Sequence, residues 1–359
     1  MDFDLSDDQL ALQDGARDLL DGRCGRSVVR AALGEPGFDR DLWSAMTDQG
    51  WLGTAIPEDR GGLGLGTVEL AVLLEQTGAH LAPVPFLQQV AASAALPDSP
   101  WAEPLLSGEA IGTVARTELE LHGDGTVSGR PEPVVFGASA DVLVVPAAPD
   151  RSPPDDDAGG PVLVAVDLGT VDVMAEPAMD LTRELAWVDL DRVPAEVVGH
   201  TDAVKAFLDR GATFHAVEML GSASSVLDLA VTYAKEREQF ARPIGSFQAV
   251  KHRCADMLVD VEGMRSAAYY AAWAIGADQG DEASVAASTA KVWCSDAGLR
   301  VAESALQVHG GIGFTWESDV HLYLKRAQLD QVSFGDAPHH RARLMELLRV
   351  RLAAGAPLI

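Results

Sequence analysis

Cysteines, basic residues and long uncharged apolar runs are all scarce in this chain, and each shortage narrows what it can do. Cys24, Cys254 and Cys294 are its 3 cysteines among 359 residues. They are odd in number, far apart and free of C-x-x-C spacing, which argues against a disulfide framework and a zinc site. They are expected to be core thiols. Lys and Arg number 27 against 54 Asp and Glu, a formal net charge of -27. This balance argues against nucleic acid as a partner, because neutralising phosphates takes a surplus of cations. An anionic small molecule remains open wherever the few basic side chains gather. No run of about 18 uncharged apolar residues occurs, and Met1 to Leu12 is acidic rather than basic and then apolar, so neither a membrane span nor a secretion signal is expected. A cytoplasmic location follows by default.

What is present is 47% apolar residues, enough for a large core divided among domains. Residues 1–108 read as a helical domain: "LALQDGARDLL" and "VELAVLLEQTGAHLAPVPFLQQVAASAAL" carry apolar residues at three- and four-residue steps. Between them "IPEDRGGLGLG" reads as a turn-rich loop. Residues 109–200 change to short Val-rich runs such as "VVFGASADVLVVPA", "GPVLVAVDL" and "LAWVDLDRV", separated by Gly, Pro and Asp, which read as a small, reduced β domain. Within it Ala148 to Gly160 has the composition of a solvated surface loop. Residues 201–359 return to helical spacing. Val250, Cys254, Met257, Val261 and Met264 step along one helix face, and an Ala-rich second helix suits close antiparallel packing in a four-helix bundle. The fold class is therefore α+β, mostly α.

Two stretches of the last domain carry chemistry. In "REQFARPIGSFQAVKHRCADM", Pro243 and Gly245 force a bend, and Ser246 is the expected N-cap of the helix that follows. Arg237, Gln239, Arg242 and Gln248 surround that bend. Guanidinium groups, amides and backbone N–H groups at a helix start can hold a pyrophosphate. The alternative is a salt-bridged helix connection, since Glu236 and Glu238 flank Arg237. In "QVHGGIGFTWESDVHLYLKRA", Gly310, Gly311 and Gly313 let backbone approach a ligand beside Gln307 and His309, and a helix capped by Ser318 or Asp319 follows. A Gly-rich helix end is the alternative there.

Together with "IPEDRGGLGLG" and the helical, β, helical order, these two stretches resemble the acyl-CoA dehydrogenase family across nearly the whole chain. The resemblance implies that the cofactor is FAD and the substrate an acyl-CoA. It implies that Arg237 clamps the FAD pyrophosphate with Gln239, Phe240 and Gln248 beside it, and that Gln307, Gly310 and Gly311 form a second contact. Both segments would reach the flavin of a neighbouring subunit.

The pattern then fails where the chemistry needs it. Dehydrogenation requires a carboxylate to take the α-proton while the β-hydrogen leaves as hydride to the flavin. The family's usual position for that Glu holds Phe334, and the alternative position on the first helix of the last domain holds Gly211. Asp209 and Glu218 lie off the required helix face or turn. Asp336 is the remaining fallback base, with an N-cap of the next helix as its other role. Family members hold the flavin ring with a Trp-x-Thr strand segment and approach it through a T-E-x-x-x-G-S-D-like stretch. Here Thr117 and Glu118 lack the following G-S-D, and the tryptophan of the β region is Trp187, which fits a packed sheet position.

By resemblance, then, the chain is expected to be the base-lacking subunit of an actinobacterial heterotetramer acting on steroid side-chain CoA esters. A homologous partner would supply the Glu in an α2β2 assembly, with an electron-transfer protein as acceptor. The competing expectations are an autonomous homo-oligomeric dehydrogenase using Asp336 and a flavin-free scaffold.

Overall fold

A computed structural model of the chain describes residues 4–149 and 160–355; the expected surface loop lies outside them except at its ends. Helix α1 (Asp7–Arg23) starts in a reciprocal cap. The Ser6 hydroxyl accepts from the Gln9 N–H at 3.3 Å while Gln9 Oε1 accepts from the Ser6 N–H at 2.9 Å. After α2 (Arg26–Ala31), Asp39 caps α3 (Arg40–Asp48) by accepting from the Leu42 N–H at 2.8 Å. The long apolar-periodic stretch forms two helices, α4 (Thr67–Ala79) and α5 (Phe86–Ala95). It breaks where Leu81 turns left-handed (φ 51) before Pro83 and Pro85, which have no N–H for a helix ladder. Fully buried Gln89 of α5 donates to the carbonyls of Leu105, in α6 (Ala102–Leu106), and of Ala110, at 2.7 and 3.0 Å. It also accepts from the Gly112 N–H at 2.7 Å, tying helix to sheet.

The β region comprises β1 (Gly112–Val114), β2 (Leu119–Leu121), β3 (Thr126–Gly129), β4 (Val134–Val135), β5 (Val142–Pro149), β6 (Val162–Asp167), β7 (Val173–Glu176), β8 (Leu185–Val188) and β9 (Leu190–Gly199). Strand β5 pairs in parallel with β1 along its first half and with β2 along its second, and antiparallel with β6. Because β2–β3, β3–β9 and β9–β6 also pair, the strands return on themselves around a core that includes Leu119, Val127, Leu143, Val145, Val164, Val166 and Leu190. Closure removes free edges. Strands β4, β8 and β7 form a second sheet, in which the Trp187 indole donates to Glu176 at 2.7 Å under the Arg130 guanidinium. Trp187 is thus a packed sheet aromatic.

The remaining elements are α7 (Thr201–Glu236), β10 (Glu238–Gln239), β11 (Arg242–Pro243), α8 (Gln248–Gly276), α9 (Asp281–His309), α10 (Val320–Val332) and α11 (Ala337–Ala353). Helix α9 is the hub for α8, α10 and α11. Ala and Gly at its buried positions let neighbours approach closely, and Met257, Val261 and Met264 present the buried face of α8. Arg341 pairs with Asp296 and Arg351 with Glu282 at 2.6 Å, holding α11 along α9. Cys24 and Cys294 are buried thiols outside any disulfide, and Cys254 is only half-buried, so it is not the core thiol expected.

By compactness the chain forms two units, Met1–Arg30 with Thr67–Ala82 and Ala212–Ile359, and Ala31–Gly66 with Pro83–Gly211. In the first unit α4 crosses α7 at backbone contact. A Cβ on Gly78 would lie 2.1 Å from the Glu218 carbonyl oxygen, and one on Gly221 1.9 Å from that of Glu75. The Ser222 hydroxyl donates to the Gly78 carbonyl at 3.0 Å, sealing the crossing.

Candidate functional site

The two sequence motifs meet at one end of the helical unit. Where α7 ends, the Arg237 N–H donates to the Tyr233 carbonyl at 2.8 Å and the Arg237 carbonyl accepts from the Ile244 N–H at 2.7 Å, closing the bend. Between these bonds β10 and β11 form a tight hairpin, with Glu238 opposite Pro243 and Gln239 opposite Arg242. Its two tip residues, Phe240 (φ 54) and Ala241 (φ 59), are both left-handed. That geometry favours Asn-Gly, and each side chain held in it costs about 1 kcal/mol. The strained tip presents Phe240 at 89% exposure. Behind it, Phe247 carries the Arg242 guanidinium on its face at 4.0 Å and meets the Phe240 ring edge-on at 6.1 Å.

Arg237, Gln239 and Gln248 are all exposed around this hairpin. Among the described residues Arg237 makes no ion pair, although Glu236 and Glu238 adjoin it, so the salt-bridged connection is not what the bend builds. Ser246 is not the expected cap. It lies in a 3-10 turn over Ile244–Ser246, Phe247 takes the N-cap position of α8, and no side chain bonds the first N–H groups there. Val250 donates to the Phe247 carbonyl at 3.1 Å, and among the described residues the N–H groups of Gln248 and Ala249, at the start of a 29-residue helix, face outward for an external acceptor.

The glycine motif joins from α9. His309, whose Nδ1 bonds the Ala305 carbonyl at 2.8 Å, stacks on Tyr233 with ring centroids 4.5 Å apart, one helical turn before Arg237. Gln307 is exposed on the last turn of α9. Gly310 (φ 63) and Gly311 follow, and a Cβ on either would meet nothing within 4 Å. The positive φ of Gly310 already calls for glycine as the cap of α9, whereas neither packing nor backbone conformation requires Gly311, which leaves its backbone open to approach. Ile312, Phe314 and Trp316 are exposed beside them. Asp319 takes the N-cap position of α10 but turns its carboxylate to Arg26 and Arg30, at 2.7 and 2.6 Å, while the Ser318 hydroxyl accepts from the Val320 N–H at 3.4 Å.

At the position where the resemblance calls for a base, Phe334 is buried and left-handed (φ 54), its ring 5.6 Å from that of His215. Buried groups hold this link on every side. The Lys291 ammonium, fully buried, donates to the carbonyls of Asp330 and Gln331 at 2.8 and 3.0 Å. His340 Nε2 donates to the Phe334 carbonyl at 2.9 Å, and burial pushes the His340 pKa down to about 3, so the ring stays neutral. Asp336 caps α11, accepting from the His339 N–H at 2.9 Å. Its carboxylate is engaged in the cap.

Below Phe334, His215 lies 3.5 Å from Asp330 and Glu218 3.7 Å from Arg326, all buried. Desolvation holds His215 below the ordinary imidazole range against the pull of Asp330. His215, Glu218 and Asp330 place their ligand atoms within 4.8 Å of one another. Arg326 faces Glu218 and Lys291 donates to the backbone carbonyl of Asp330, so the cluster is a buried charged network with His215 packed against Phe334. Sequence reasoning considered Glu218 but missed His215, Lys291, Arg326 and Asp330. The available signal was a lone Lys and a lone Arg interrupting otherwise apolar helix faces.

Residues 199–348 match the family described as acyl-CoA dehydrogenase, C-terminal domain, and residues 6–98 match acyl-CoA dehydrogenase, N-terminal domain. The chain belongs to the acyl-CoA dehydrogenase family. It is 34% identical over 344 residues to acyl-CoA dehydrogenase IpdE2 of Mycolicibacterium smegmatis, covering 95% of this chain and 99% of that protein. Among solved structures it resembles a chain of the ChsE4-ChsE5 complex from Mycobacterium tuberculosis, with 31% identity and a TM-score of 0.88 over 98% of this chain and 99% of that one. A variant of the Tcur3481-Tcur3483 steroid ACAD gives 31% identity and a TM-score of 0.87, covering 96% of this chain and 99% of that chain. As an acyl-CoA dehydrogenase the chain is an oxidoreductase. No described helix is long and apolar enough to cross a membrane.

Proposed function

We propose that this acyl-CoA dehydrogenase works as the FAD-contacting, base-lacking subunit of a heteromeric enzyme. The observation that carries this reading is one chain with a solvent-facing hairpin bearing exposed Arg237 and Arg242 and a buried Phe334 in place of the base. Arg237, Gln239, Phe240 and Gln248, with Gln307, Gly310 and Gly311, would hold the diphosphate end of FAD. Arg237, which makes no ion pair among the described residues, and the open backbone at Gly310 and Gly311 fit such a group. FAD supplies hydride acceptance at its flavin ring. The acyl α-proton needs a carboxylate, which a homologous partner provides in an α2β2 assembly. This chain's contribution is to grip phosphates and hold Phe334 inert.

The similarity to the ChsE4-ChsE5 complex and to a steroid ACAD supports a heteromeric assembly and a steroid CoA ester as substrate; a side-chain ester, a protein electron acceptor and a cytoplasmic location complete the proposal. We take 1–108, 109–200 and 201–359 as its domains. Expressed alone, the chain is expected to be colourless and inactive toward acyl-CoA; co-expressed with a homologous Glu-bearing chain it should give a yellow, active complex. Full flavin and turnover from this chain by itself would reject the proposal.

The autonomous reading turns on Asp336. Since Asn caps helices about as well as Asp, Asp336→Asn should keep both the fold and the complex's turnover to within about twofold. Abolished turnover with FAD retained would make Asp336 the base.

A further inference from the structure

The link between β1 and β2 gathers three donors on one side chain. Glu132 Oε1 accepts from the Arg116 N–H at 2.9 Å, and its Oε2 accepts from the Thr117 N–H at 3.1 Å and from the Thr117 hydroxyl. Two consecutive backbone N–H groups and a hydroxyl converging on a carboxylate make an oxyanion seat, the kind of concavity that binds phosphate, carboxylate or a polarised carbonyl in other proteins. Here the occupant belongs to the chain. Glu132 sits between Pro131 and Pro133, whose rings fix φ on both sides and leave few conformations in which the carboxylate could withdraw. The seat is also held from behind. Strands β1 and β2 both pair with β5, and Ala115 still donates to the Val144 carbonyl at 3.1 Å, so the link bows away from β5 only after Ala115, at Arg116 and Thr117. Without an acceptor the N–H groups of these two would be left wanting one.

We infer that Glu132 is a built-in ligand that closes this seat against an external carbonyl or oxyanion, a flavin ring included. A ligand approaching the Arg116–Thr117 link meets a fixed negative charge in place of N–H donors, and flavin becomes more negative as it takes up electrons. Thr117 lies in the stretch through which the family resemblance implies approach to flavin, so the closure gives a physical reason for the ring to lie in another polypeptide. The inference thereby rests on the heteromeric reading.

The test compares the full chain with its Glu132→Ala and Glu132→Gln variants by thermal melting, with sodium formate or sodium chloride, and by quenching of FAD fluorescence. Glu132→Ala should melt several degrees lower, formate but not chloride should recover part of that loss, and the wild type should not respond to formate. FAD should bind the alanine variant more tightly than the wild type, by up to about tenfold for one recovered N–H to ring-carbonyl hydrogen bond and the removal of the facing carboxylate. Alanine melting like the wild type, equal effects of formate and chloride, or equal FAD binding would overturn the inference. Should the alanine variant not fold, glutamine decides: its NH2 group faces the donors, so it must melt lower than the wild type, and an unchanged melt rejects the seat. The formate arm involves neither flavin nor partner, so its outcome is separate from that of the heteromeric proposal.

Discussion

Gly221→Val is expected to abolish the soluble, cooperative fold of the helical unit. A Cβ at position 221 would stand 1.9 Å from the Glu75 carbonyl oxygen and 2.8 Å from the Ala79 nitrogen, both backbone atoms of α4. A flexible side chain could move aside, but a helix backbone can yield only by separating the two helices. Overpacking in cores costs about 1–3 kcal/mol, and a backbone clash on both sides of a crossing belongs at or beyond the top of that range. The separation would also strip Ser222 from the Gly78 carbonyl and disturb Glu75, whose buried carboxylate is held by Arg265 and Tyr269 at 2.6 Å each. Gly15 of α1 serves as the control. It is exposed in a helix interior with nothing within 4 Å of an added Cβ, so Gly15→Ala should raise stability by about 0.5–1 kcal/mol. Circular dichroism melts of the two variants check the pair; a Gly221→Val protein melting within a few degrees of the wild type would show that the crossing is not a tight backbone contact.

Local chemistry was readable wherever one short segment determined it. The Asp336 cap, the "IPEDRGGLGLG" loop and the buried face of α8 all follow from side chains close in sequence. The same holds for the Val-rich runs at β5 and β6, where hydrophobicity and β-branching agree. Three-residue strands such as β1 and β2 have too little pattern to declare a register, and the closure of the sheet through β9 depends on pairings far apart in the chain. Ser246 misled because it sits one residue too early. The short turn at Ile244–Ser246 absorbs it, and Phe247 becomes the cap for reasons of backbone path. The joining of the two motifs through Tyr233 and His309 could not be read, since stacking leaves no spacing rule. The ion network beneath Phe334 was hidden for a related reason: Lys291, Arg326 and His215 come from three helices, and each alone resembles a snorkelling or surface residue.

The second large effect concerns Arg237, on which the heteromeric account depends. A guanidinium that makes no ion pair among the described residues, mounted on a bend closed by two backbone hydrogen bonds, is already aimed before a ligand arrives. Bonds from such a group to phosphate are each worth about 1.5–3 kcal/mol, so Arg237→Ala should weaken FAD binding roughly 10- to 100-fold. Folding should be untouched because the side chain is exposed. Arg237→Lys should recover only part of the loss, since an ammonium cannot reproduce the bidentate fork. A scaffold without flavin contact predicts no change in either variant. The deciding measurement is the FAD dissociation constant of the assembled complex, with Arg237→Ala carried only on this chain and its partner left intact. The account predicts a rise of at least about tenfold at unchanged subunit stoichiometry. An unchanged FAD affinity in that complex would contradict it.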